Sequence, residues 1–315
     1  MYKRQPQAAL AVVDDGKGGL WIGTSDGLQH FDPASGRYTY WHHDAALPGS
    51  LGSDQVNALA RDAAGRLWVG TAAGLDLLEP GAQAFRHFEV EAAPDTRFEA
   101  VLSLFADKDH TLWIGTMAGI EQWKLAAGAE TPQRRRLGEK EGLKPGVVTV
   151  IYQDGDGTLW AGSQTEGLFR WRPAERRFVQ YRHQVTDPHS LADNYVSALF
   201  RDRLGTMWVG TWYSGVSRVD LGSGGFARLV HDAERPRSLS DNKVRAIVDA
   251  GGGKLWLGNN DGLTLYDPIA GEGQVFRDPA PDFADVRDPQ VISLWRDRNG
   301  SALWVGGRNL SLIHI

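Results

Sequence analysis

The sequence predicts an all-β protein made of seven repeated four-stranded antiparallel units, and three observations carry the prediction. The phrase Leu-Trp-(Ile/Val)-Gly-Thr occurs at Leu20–Thr24, Leu67–Thr71 and Leu112–Thr116, with looser copies at Leu159–Ser163, Met207–Thr211, Leu255–Asn259 and Leu303–Gly307. Its tryptophans, Trp21, Trp68, Trp113, Trp160, Trp208, Trp256 and Trp304, are 47, 45, 47, 48, 48 and 48 residues apart, a period that belongs to repeat architectures. Between them short apolar runs alternate with Gly, Pro and Asp, and no segment shows a 3.6-residue stripe over the ~11–12 residues of an average helix. Four strands per period are the content of a propeller blade, and propellers carry about 4 to 8 of them. The predicted fold is a seven-bladed β-propeller of four-stranded antiparallel blades, circularly closed, with the last blade incomplete.

One period shows how the elements follow. Val56 to Ala60 is a first apolar run, and Asp62 to Gly65 turns the chain. Leu67 to Gly70, Leu75 to Leu78 and Ala84 to Phe88 supply the other strands, separated by Thr71 to Gly74 and by Glu79-Pro80-Gly81. Asp62, Asp107, Asp154 and Asp202 each stand six residues before their tryptophan. Gly65, Gly157 and Gly205 stand three before it, with His110 in that place in the third unit. An Asp that bonds the backbone two residues on, followed by a residue of positive φ, is turn chemistry. Recurrence in nearly every unit argues for that role over paired catalytic acids. In units six and seven the Asp moves one residue away, to Asp249 and Asp297. The recurring tryptophan is read as filler between neighbouring sheets with its N–H bonded. A second marker, from Gly27-Leu28 to Gly262-Leu263, opens the third strand.

The units are placed near residues 8–41, 55–88, 98–125, 147–182, 195–230, 243–277 and 290–310, as one domain over 8–310. Residues 1–7 read as a disordered or truncated start and 311–315 as a truncated end, so the chain looks like part of a longer protein. Connectors between units carry a further pattern, a His before Pro-x-Ser-Leu: His43 with Ser50-Leu51, His183 with Ser190-Leu191 and His231 with Ser238-Leu239. Histidines on different blades are too far apart to share one ion at ~2.0–2.1 Å, so loop packing is the reading and no metal site is expected.

Composition excludes several classes. The 38 glycines and 12 tryptophans fit short strands and tight turns. A net charge of −5 leaves no basic footprint for nucleic acid, and the one basic run, Arg134-Arg135-Arg136, is read as a solvated loop. There is no cysteine, which removes disulfides, thiolate metal sites and a thiol nucleophile. No stretch approaches the ~20 apolar residues of a membrane span, and the first residues lack the apolar core of a leader peptide. No cofactor is expected.

The phrase with its Asp-x-x-Gly turn and following Gly-Leu resembles the two-component regulator propeller repeat, over about Ala8 to Gly307. The resemblance implies the ligand-sensing region of a membrane-anchored bacterial receptor. Its propeller would be periplasmic, its parent a homodimer, and its output a histidine kinase or diguanylate cyclase lying outside this chain. The seventh unit departs from the pattern at Gly306-Gly307-Arg308-Asn309-Leu310.

A binding site should appear where the repeat is broken, on the face holding the second-to-third-strand turns and the connectors into the first strands. Most of those turns are small, but the fifth is Trp212-Tyr213-Ser214 and the fourth Gln164-Thr165-Glu166, and the sixth offers Asn259, Asn260 and Asp261. First-strand entries add Asp54, Gln55, Glu99, Asn194, Tyr195, Asn242, Lys243 and Gln290. The candidate ligand-binding residues are Trp212, Tyr213, Gln164, Glu166, Asn194, Tyr195, Asn242, Asn259, Asn260 and Glu99. Aromatic platforms with amides and carboxylates suit a small molecule or carbohydrate. Packing against a neighbouring loop or propeller is the plain alternative for Trp212 and Tyr213. The functional reading is a ligand-sensing module without catalysis. A protein-interaction platform is second, and a propeller lyase or glycoside hydrolase third, since no spacing singles out an acid/base pair among Asp54, Glu99, Glu166 and Asp261.

Overall fold

The Asp turns set the blades. Asp107 accepts the Asp109 and Thr111 N–H groups on one carboxylate oxygen, at 2.9 and 2.8 Å, and the Trp113 indole N–H on the other at 2.9 Å. Asp62, Asp154 and Asp202 repeat the arrangement with Trp68, Trp160 and Trp208. The turn then needs positive φ, reached at Gly65, Gly157 and Gly205 and by His110 at 59°. One carboxylate thus closes a hairpin and satisfies a buried indole together.

A computed structural model describes residues 8–90, 100–126, 129, 131–144, 146–219, 225–277, 290–297, 300, 302–308 and 313–314. The fold is an all-β propeller of four-stranded antiparallel blades, six of them complete, with a smaller seventh sheet. Blade one consists of Ala9–Asp14, Leu20–Thr24, Gly27–Asp32 and Arg37–Trp41; blade two of Val56–Arg61, Leu67–Thr71, Gly74–Leu78 and Arg86–Phe88. Blade three comprises Val101–Ala106, Thr111–Thr116, Gly119–Lys124 and Gln133–Leu137; blade four Val148–Gln153, Leu159–Ser163, Leu168–Arg172 and Arg177–Tyr181. Blade five runs Val196–Arg201, Met207–Thr211, Val216–Val219 and Phe226–Leu229; blade six Val244–Gly251, Lys254–Asn259, Gly262–Asp267 and Glu272–Phe276. The seventh sheet has Val291–Arg296, Leu303–Gly307 and a short third strand, Ile313–His314, paired to Trp304 and Val305. That strand falls in the segment the sequence assigned to a truncated end. In every sheet spatial order follows chain order.

Two compact units divide the chain. The first comprises Leu10–Gln153 and Trp171–Val179; the second comprises Met1–Ala9, Asp154–Arg170 and Gln180–Ile315. In the first unit Trp68, Leu77 and Phe88 of blade two pack with Val101, Ile114 and Trp123 of blade three. In the second, Trp208 and Val216 of blade five pack with Ile247, Leu257 and Tyr266 of blade six. The phrase glycine has a reason that local sequence does not show. A Cβ on Gly70 would lie 2.5 Å from Cγ1 of Val101, and one on Gly23 2.6 Å from Cγ1 of Val56. In the second unit Gly210 meets Val244 at 3.1 Å and Gly258 meets Val291 at 2.6 Å. Each such glycine admits the first valine of the next blade, and any side chain would overpack the contact.

One sequence expectation is corrected. Arg134, Arg135 and Arg136 lie in the fourth strand of blade three, paired with Glu121 to Trp123, and not in a loop. Arg134 lays its guanidinium 4.2 Å from the Trp123 ring centre and donates to the Glu89 carbonyl. Long charged side chains cover apolar surface while their heads stay wet, so an edge strand tolerates such a run.

Candidate functional site

The second-to-third-strand turns are tied to the first-strand entries by main-chain bonds. In the second unit Trp212 N–H donates to the Tyr195 carbonyl at 3.0 Å and Gly215 N–H to the Asn242 carbonyl at 2.8 Å. Gly167 N–H donates to Asn194 and Asn260 N–H to Lys243. Thr211 braces the fifth turn, its hydroxyl donating to the Gly215 carbonyl and accepting the Ser214 N–H. These bonds bring Trp212, Tyr213, Tyr195 and Asn242 to one place.

There the side chains form an aromatic and cationic cluster. The Tyr195 and Trp212 rings stack at 4.9 Å and 9°, and Tyr213 meets Tyr195 edge-on at 6.3 Å and 75°. Lys243 Nζ lies 4.8 Å and the Arg245 guanidinium carbon 4.2 Å from the Trp212 ring centre. With Tyr195, Lys243 and Arg245 all against it, Trp212 is part of the site's wall. Tyr213, 66% exposed, is the ring left open to solvent. Burial, with the neighbouring Tyr213, pushes the Tyr195 hydroxyl above its ordinary pKa.

Arg245 is a residue the sequence reading missed. It follows Val244 at the position where blade two has Asn57 and blade five has Ser197, each donating to the carbonyl of the next blade's first-strand valine. The buried Arg245 Nε finds no acceptor among the described residues. Leaving such a donor unmet costs about 1–3 kcal/mol. Burial, and then the like charge of Arg308, lower the Arg245 pKa, while Tyr195 and Asp241 oppose them. The available signal was a charged residue on an inner strand, visible once the repeats are laid over one another.

The remaining candidates are spread more widely, and several are structural. Asn259, expected to face a ligand, is instead fully buried. It fills the last place of the Trp phrase, where Thr71 and Thr211 cap their turns, and its side chain donates to the Asp241 carbonyl at 2.6 Å. Asn194 and Asn242 spend their side-chain oxygens on the N–H groups of His183 and His231, at 2.9 and 2.7 Å. The histidines in turn place Nδ1 against the Leu191 and Leu239 carbonyls. Glu166 is held by Arg182 at 2.7 Å and by Gln180 at 3.1 Å. Gln164 is exposed and Asn260 half-buried. Glu99 lies outside the described residues.

In the first unit the corresponding positions of blade one bring Asp26, His42 and Asp54 within 4.8 Å of one another. These could offer a cation three ligand atoms; Asp54 already accepts the His43 N–H at 2.7 Å. Blades four and six hold ion pairs at this place, Glu166–Arg182 and Asp261–Arg277. No helix among the described residues is long and apolar enough to cross a membrane.

Comparison with known proteins agrees with the propeller fold. The extracellular domain described for a hybrid two component system of B. thetaiotaomicron superposes with a TM-score of 0.57 at 19% identity, covering 96% of this chain and 44% of that one. This chain thus spans less than half the length of that structure. A catalytically inactive virginiamycin B lyase from Staphylococcus aureus, solved with quinupristin, gives a TM-score of 0.72 at 13% identity, over 99% of this chain and 96% of that one. At such identities the likeness is one of fold. No curated protein matches the sequence. The two component regulator propeller model matches residues 50–73, 142–165 and 190–213, the last of which contains Asn194, Tyr195, Trp212 and Tyr213. The chain therefore carries the two component regulator propeller repeat, matched directly in blades two, four and five.

Proposed function

We propose that this chain is the extracytoplasmic ligand-sensing propeller of a bacterial signalling receptor and binds a small molecule or oligosaccharide at the Tyr195–Trp212–Tyr213 cluster. The observation that carries the reading is the broken symmetry there: an open aromatic ring beside Arg245, whose buried Nε–H has no acceptor, on a face where most blades have small turns. A preformed apolar platform with a few unspent polar groups is how small-ligand sites are built. Binding would act by shifting the receptor's conformational populations, and the output would belong to another part of the protein. The ring is read as seven blades. Ala9 stands 2.8 Å from a Cβ placed on Gly306, as Val291 stands against Gly258, and Ser293 donates to the Ala9 carbonyl at 2.9 Å.

A catalytic reading has less support. Glu166 and Asp261 are neutralised by arginines, and Asp54 braces a main-chain N–H. Neither geometry leaves a paired acid and base poised over the cluster. The test is a thermal-shift screen of the purified chain against oligosaccharides and small metabolites. A ligand at a hundred times its Kd adds about 2.7 kcal/mol. A hit retained by Asp54→Asn but lost by Tyr213→Ala supports the reading. A stable protein that co-purifies through Tyr213, with no small-molecule hit, would replace it with an interaction platform.

A further inference from the structure

Blade six carries two cations at the site. Lys243 and Arg245 flank the entry to its first strand, both lie against Trp212, and neither makes an ion pair with a described carboxylate. Asp241, which influences Arg245 electrostatically without pairing to it, uses Oδ1 to accept the Lys243 main-chain N–H at 2.7 Å. Elsewhere in the second unit, arginines beside this face are matched to acids, Arg182 to Glu166 and Arg277 to Asp261. Here the acid is missing and a guanidinium N–H is buried without an acceptor. A half-buried cation and an unmet donor both disfavour the empty state, and an oxyanion seated on the guanidinium relieves them.

We infer that Lys243 and Arg245 form a subsite for an oxyanion, a carboxylate, sulfate or phosphate carried by the ligand, set beside the Tyr213 ring. The inference rests on the ligand-sensing reading and narrows it to acidic small molecules. A guanidinium is a fork that matches two oxygens of such a group, and Lys243 adds a point charge. Arg308, exposed at the end of the second strand of the seventh sheet, contributes like charge that an anion would neutralise. The Trp212 ring holds both cations by cation–π contact, which leaves the Arg245 Nε–H without an acceptor.

The test is a titration of the intact, nitrogen-15-labelled chain, following the Nε–Hε resonance of Arg245, assigned by its loss in Arg245→Lys. Sodium sulfate, phosphate and acetate are each added against chloride at constant ionic strength. The inference predicts a saturable shift for at least one of the three, with a Kd on the order of millimolar. Lys243→Gln should weaken it about tenfold, the loss of one charge-assisted contact. The exposed arginines of the same unit should not follow. An absent shift, or one that grows linearly and is shared by Arg218 and Arg228, overturns the subsite as general ionic screening. Any hit from the ligand screen is then measured on Arg245→Gln. Equal affinity overturns the anionic subsite and leaves the sensing reading standing, whereas loss in both Arg245→Gln and Tyr213→Ala supports both.

Discussion

Removing the Asp107 carboxylate should be among the most damaging single changes in blade three. It accepts three N–H groups, and the exposed turn residue Asp109 can turn to water. Thr111, 3% exposed, and Trp113, 7% exposed, cannot do so without opening the hairpin. Each orphaned donor costs about 1–3 kcal/mol, so Asp107→Ala should lose about 3–5 kcal/mol once the closed turn is included. Trp113→Phe removes the indole bond and also the fused five-membered ring, so the lost bond and the cavity together should cost about 2–4 kcal/mol. The pair shares one contact, so Asp107→Ala should cost less in the Trp113→Phe background, with a coupling of about 1–2 kcal/mol. Equilibrium urea unfolding followed by both tryptophan fluorescence and circular dichroism gives the four values and checks for intermediates. A loss below about 1 kcal/mol in Asp107→Ala, or strict additivity in the cycle, would show that the carboxylate does not hold the tryptophan.

Three further outcomes follow from other blades. Gly258→Ala should destabilise by about 1–3 kcal/mol through overpacking against Val291, whose Cγ1 a Cβ there would meet at 2.6 Å, and in a Val291→Ala background the same change should cost less; urea midpoints decide. Asp76 is buried in the first unit, and burial raises its carboxyl above the usual 3.8 although the Gly52 N–H and His87 pull it down. A carboxyl raised by folding contributes stability that is full below 3.8 and is lost as pH rises through its folded value. Asp76→Thr keeps an acceptor of the kind Thr264 offers Ser240 and should abolish that loss, leaving stability at pH 7 within about 1 kcal/mol of wild type or above it. Denaturation midpoints at pH 4.5 and 7 test this, and a larger loss would contradict it. Tyr213→Ala should leave the melting temperature within about 1 °C, as surface changes do, whereas Trp212→Ala should lower it by several degrees because Tyr195 and Arg245 lose their shared ring.

Much of this was legible because the repeat reads its own structure seven times. The Asp turn, the positive φ taken by His110 and the filling role of the tryptophans all follow from residues at fixed offsets. What the offsets hid was long-range. That the indole bonds the turn's own Asp needs two side chains to meet, and that the phrase glycine faces the next blade's valine needs a neighbour some 30 residues away. Gln133–Leu137 escaped notice because an exposed edge strand has no apolar alternation to read. Asn259 looked like a loop residue of an unusual blade; its place in the phrase already marked it as the buried end of a strand. Scanning turn tips for exceptions located Trp212 and Tyr213, but Arg245 sits inside a strand, where the search for exceptions did not extend.

The most direct measurement is calorimetric titration of the first ligand the thermal-shift screen returns, into wild type and into Tyr213→Ala of equal melting temperature. The account predicts one site per chain in wild type and at least about tenfold weaker binding in the variant, the loss expected for a ring that stacks on the ligand. Equal affinity in a folded Tyr213→Ala would contradict the placement of the site on blade five and return the function to an open question.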